Sequence, residues 1–96
     1  MSNKLIGLLI PAKGECKRVE IDNTLKALQK VVGGYIETMT LSTDHVLIVN
    51  DEGKIHGLPK NKYLHGIAGD ALLVRVSGDE FASMEDEEVE ALRRCV

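Results

Sequence analysis

The stretch Leu25–Thr40, LKALQKVVGGYIETMT, leaves this chain the least freedom. Before it, Asp22, Asn23 and Thr24 each offer a side-chain oxygen to the free N–H groups of a first helical turn. The spacing predicts a helix over Leu25–Val32, with Leu25, Leu28, Val31 and Val32 on one face and Lys26, Gln29 and Lys30 toward water. Gly33-Gly34 then stops it, because glycine enters the left-handed conformation without a Cβ clash. Alternation with period two resumes at once over Tyr35–Leu41. So short a helix does not hold in water by itself. Its apolar face must lie on a sheet, and Tyr35 is expected to turn into that sheet.

The rest of the chain supplies strands. Lys4–Ile10 is an apolar run closed by Pro11, and Lys17–Ile21 alternates, so the two are expected to form an antiparallel hairpin. Ser42-Thr43-Asp44 turns the chain into His45–Val49, a buried strand. Asn50-Asp51-Glu52-Gly53 reads as a type I turn with a bulge. It predicts a hairpin with Lys54–Leu58, Asn50 opposite Lys54 and Ile48 opposite His56. Tyr63–Ile67 fits neither period. Ala71–Val76 is a further strand, and Ser77–Glu80 a turn. Ser83, with Asp86 three residues on, resembles a capping box for a last helix. Glu85–Glu88 lie at that helix's start and Arg93-Arg94 at its end, matching the macrodipole. The expectation is one α+β domain over residues 1–96, a largely antiparallel sheet of five to six strands with two short helices.

Charge distribution limits the partners. Residues 1–62 carry 9 Lys or Arg against 7 Asp or Glu, and residues 63–96 carry 3 against 8, for a net −3. With Tyr35, Tyr63 and Phe81 the only aromatics, this argues against direct nucleic-acid binding, which wants a basic face and stacking rings. Leu5–Ile10 is too short for a membrane span or signal segment. Cys16 and Cys95 are read as reduced thiols, and the compartment as the cytoplasm of a host cell. Homo-oligomerisation is expected, because a chain this small encloses no deep pocket alone.

No catalytic set is legible. There is no G-x-S-x-G, His45, His56 and His65 lack metal-ligand spacing, and Asp51-Glu52-Gly53 is not followed by spaced oxygen ligands. Gly33-Gly34 follow a helix, where carbonyls are presented, whereas a phosphate cradle precedes one. No enzyme activity, metal or cofactor is expected. The loop Gly57–Tyr63 is the best ligand candidate: Lys60 and Lys62 at phosphate, Asn61 at a base edge, Tyr63 stacking, with Tyr35 as a further contact. The competing reading is a solvated turn whose Asn61 bonds its own backbone. Glu85, Glu87 and Glu88 are the candidates for docking a protein partner.

Three segments, IDNTLKALQKVVGGYIE (Ile21–Glu37), VNDEGKIHGLPKN (Val49–Asn61) and IAGDALLV (Ile67–Val74), resemble a family of small proteins of unknown function. That family occurs in phages, plasmids and bacterial genomes rich in mobile elements. The resemblance implies an intracellular phage-type accessory protein and supplies no reaction. The expected function is non-enzymatic binding of a small anionic or nucleotide-like ligand, as a sponge for a host defence signal. The alternative is a protein-protein inhibitor or regulator of a host machine acting through the acidic helix.

Overall fold

The computed structural model describes residues 3–53 and 55–95. In chain order they form β1 (Lys4–Ile10), β2 (Lys17–Asp22), α1 (Leu25–Val32), β3 (Ile36–Thr40), β4 (His45–Asn50), β5 (Ala71–Ser77), β6 (Glu80–Ala82) and α2 (Asp86–Cys95). The strands make one antiparallel sheet in the order β2-β1-β5-β4-β3, with β6 paired to β5. Among the described residues the fold is α+β, six strands and two helices; the class and the antiparallel sheet are as the sequence predicts, but β6 is a strand it did not predict. Among the described residues no helix is long and apolar enough to cross a membrane.

Both faces of the sheet are covered, which explains the unbroken apolar runs. Leu72 and Val74 of β5 join Val46 and Ile48 of β4, Leu5 of β1, and Leu28 and Val32 of α1 in one cluster. Ala71 and Leu73 join Leu47, Val49, Leu8, Ile10, Cys16, Met84 and Val89 of α2 in the other. In α1, Leu28 and Val32 are 2% and 3% exposed. Burying each side chain contributes about 1.5–3 kcal/mol, which holds a helix too short to stand alone. Leu25, expected on the same face, is 59% exposed, because the buried stripe begins one turn later. Thr24 accepts from Ala27 N, and Gly33, at φ +80°, donates to Gln29 O. Tyr35 does not enter the sheet. It precedes β3 and is 71% exposed.

The expected hairpin after Asn50 does not form. β3 already fills one edge of β4, with Thr38 opposite Ile48, and β5 fills the other, with Leu72 opposite Ile48. No edge is left for Ile55–Leu58 (Lys54 lies outside the described residues). Asn50 instead accepts from Glu52 N at 2.8 Å and donates to Val32 O at 3.0 Å. His56 N to Glu52 O and Leu58 N to Gly53 O then close helix-like turns. The hairpin that does form is β3–β4, closed by Leu41 N to His45 O.

Ser83 is not a helix cap either. Its hydroxyl accepts from Ile6 N at 2.9 Å and donates to Lys4 O, fastening the chain after β6 to β1. α2 starts at Asp86, three residues beyond.

Candidate functional site

The loop from Leu58 to Asp70 is organised by one buried side chain. A single antiparallel bridge pairs Lys60 with Ala68, bracketed by Asn61 N to Ile67 O at 2.8 Å and Gly69 N to Pro59 O at 2.7 Å. Asn61 is 6% exposed. Its amide donates to Ile10 O at 2.9 Å and Gly69 O at 3.0 Å, and its oxygen accepts from Tyr63 N at 2.9 Å and Leu64 N at 3.1 Å. Both donors and both lone pairs are therefore committed. The base-edge role expected of Asn61 is corrected: it holds the loop's shape and has nothing left for a ligand. Gly53 sets the neighbouring wall, since a Cβ there would meet Ala68 O at 2.7 Å.

This arrangement leaves a concavity of about 490 Å³ lined by Leu58, Lys60, Asn61, His65, Gly66, Ile67 and Ala68. Lys60 and His65 are exposed, and neither has an ion-pair or side-chain hydrogen-bond partner among the described residues. Leu58, Ile67 and Ala68 supply apolar surface. A second concavity of about 380 Å³ continues from it, sharing Gly66, Ile67 and Ala68 and reaching Glu37, Met39 and Ile55.

The other expected ligand residues lie elsewhere. Lys62 sits with its Nζ 5.0 Å from the Tyr63 ring centroid, a cation–π contact. The Tyr63 hydroxyl donates to Gly14 O, and Tyr63 lines a small polar hollow with Glu15, Cys16, Arg93 and Arg94. Tyr35 borders a third hollow with Gln29, Gly34, Asn50, Glu52 and His56. Of the five residues expected to share a site, only Lys60 and the buried Asn61 line the main groove. His65, which the sequence reading gave no ligand role, joins them. The buried Cys16 thiol is pushed up by its burial, against a smaller opposing pull from Lys62, so it is a core side chain.

The acidic helix is divided as well. Glu85 and Glu87 are exposed, but Asp86 binds Arg18 at 2.7 Å. Glu88 is turned onto the sheet. It meets His45 Nε2 at 2.5 Å and Arg75 at 3.1 Å, from adjacent strands where His45 and Arg75 are directly opposite. Burial pushes the Glu88 carboxyl up, but the bonds from His45 and Arg75 outweigh it, and it lies below the ordinary carboxylate value. Ser42 Oγ contacts His45 Nδ1 at 3.2 Å, completing the network. The pattern was invisible in sequence because it needs the pairing of β4 with β5. No group of three or more His, Cys, Asp or Glu among the described residues is placed to hold a metal ion.

Residues 4–96 match the family described as "Domain of unknown function (DUF3846)". No curated protein and no solved structure matches the chain.

Proposed function

We propose that this chain, which belongs to the DUF3846 family, is a non-enzymatic binding protein for a small anion with a planar or apolar body, a nucleotide-like signal being the type. The observation that carries the reading is that Lys60 and His65 line one groove together with Leu58, Ile67 and Ala68. An unpaired ammonium is a point charge suited to phosphate, and the imidazole adds a polar contact. Leu58, Ile67 and Ala68 offer apolar contact for a base or ring. At about 490 Å³ the groove has the size of small-ligand sites generally. The biological setting, an accessory protein of mobile elements that sequesters a host signal, is supported by the resemblance of the three sequence segments.

The acidic-helix alternative is less well supported, since Asp86 and Glu88 are already bound internally, and of Glu85–Glu88 only Glu85 and Glu87 have no side-chain partner among the described residues. Calorimetry against mononucleotides and cyclic dinucleotides tests the proposal. Binding should weaken at least about tenfold in Lys60→Ala, the loss of one charged hydrogen bond. Lys62→Ala should leave it unchanged, and the ligand should be recovered chemically intact. No binding by the wild-type chain anywhere in the panel, or equal loss in both variants, refutes it.

A further inference from the structure

β3 is an edge strand whose outer side has no partner among the described residues. Its backbone bonding sense follows from its two ends. Leu41 N bonds His45 O and Asp51 N bonds Tyr35 O, so the odd-numbered residues point their N–H and C=O groups at β4. Antiparallel alternation then turns the N–H and C=O of Ile36, Thr38 and Thr40 outward. The opposite edge of the sheet is different. β2 carries Lys17, Arg18, Glu20 and Asp22 among its six residues, the charge that normally guards an edge. β3 carries only Glu37 among its five.

We infer that β3 is the seam of a two-fold homodimer, in which two copies pair β3 antiparallel with Thr38 opposite Thr38. That register is favoured by three independent matches. It places Ile36 opposite Thr40, so all three outward-facing residues of each copy pair at once. It places Glu37 opposite Met39, whereas sliding the centre to Glu37 would set like charges face to face. It places Leu41 of one copy opposite Tyr35 of the other, just beyond the strand ends. Tyr35, Met39 and Leu41 are 71%, 41% and 57% exposed, three of the five exposed large apolar side chains among the described residues. The seam gives each of them a neighbour.

The area sets the strength. The three side chains expose on the order of 300 Å² per copy, and with the strand edge the total stays below the ~800 Å² per partner of a standard interface. A weak dimer that forms only as concentration rises is expected. This inference does not depend on the binding proposal, although Glu37 and Met39 line the concavity that opens into the ligand groove.

Sedimentation equilibrium of the ligand-free protein, from about 1 µM to about 1 mM, tests it. Wild type should pass from monomer to dimer across that range. Thr38→Pro removes only an outward N–H and leaves the β4 ladder intact, so the protein should stay folded by circular dichroism and monomeric throughout. Met39→Glu, which sets two carboxylates opposite each other, should also be monomeric. The double variant Glu37→Lys, Met39→Glu should restore the dimer, a rescue that a misfolded edge would not show. A wild type monomeric at every concentration, or a dimer that persists in both single variants, overturns the assignment.

Discussion

Asn61→Ala separates the two readings of the loop most sharply. If the amide faced a ligand, its removal would cost affinity and leave stability alone. In the structure it makes four hydrogen bonds from a site 6% exposed. Truncation leaves two amides, Tyr63 N and Leu64 N, without this acceptor and takes a donor from two carbonyls, Gly69 O and Ile10 O, the latter still paired with Ala71 in the β1–β5 ladder. The amides are partly buried, so water can replace part of their loss. At about 1 kcal/mol for each bond lost to a carbonyl and half that for each amide, the sum is about 3 kcal/mol. For a chain of 96 residues that is a large share of a total on the order of 5–14 kcal/mol. It corresponds to a fall in Tm of about 12–24 °C. Urea unfolding followed by circular dichroism measures it, with the slope expected to stay constant while the midpoint moves. Asn61→Asp should be worse than alanine, because it turns a carboxylate oxygen toward a carbonyl. A destabilisation below about 1 kcal/mol in Asn61→Ala would refute the account, since it would mean that the four bonds hold nothing together.

Two further outcomes follow from side chains placed between elements. Glu88, held below the ordinary carboxylate value of 4.5, contributes stability that is fully present above that value and is lost as pH falls through its lower folded one. Urea midpoints should therefore fall more steeply below pH 4.5 in wild type than in Glu88→Gln, and parallel curves would mean that the network adds no stability. Ser83→Ala removes the acceptor of Ile6 N, so it should cost about 1–2 kcal/mol and speed hydrogen exchange at that amide. Slowed exchange at Ile6, or a loss of helix content instead, would return Ser83 to the role of a cap.

What could be read from sequence was what is decided locally. Thr24, the apolar spacing of Leu28 and Val32, and Gly33 all act within one or two turns, and α1 runs over the span the pattern predicts. The turn at Ser42–Asp44 is local too, and it joins β3 to β4. The turn chemistry at Asn50–Gly53 was equally visible, but a turn says that the chain reverses and not which strand receives it. β5, far along the chain, takes the edge of β4 that a hairpin would have used. The same limit divided the candidate site. The bonds from Asn61 to Tyr63 and Leu64 are short-range and legible, whereas those to Ile10 and Gly69 depend on where β1 ends and where the loop returns. His65 joins Lys60 only because the Lys60–Ala68 bridge folds an otherwise patternless segment back on itself.

That bridge also bears on how the groove binds. Its walls are irregular segments, which ordinarily cost ordering free energy when a ligand fixes them. Here each is already fastened by a buried asparagine. Asn50 ties the turn after β4 to the end of α1, and Asn61 ties the loop after Leu58 to β1 and to Gly69. Gly53, which a Cβ would drive into Ala68 O, lets the two walls touch. Only Lys60 and His65 then remain to be ordered on binding, and a lysine held by one phosphate loses less than about 2 kcal/mol of rotamer freedom. A groove built this way should keep its shape empty or filled. The amides of Asn61 and Gly69, which close the bridge, should therefore exchange slowly in the free protein and change little when ligand is added. Fast exchange at these amides in the free protein would mean that the ligand, not Asn61, builds the groove.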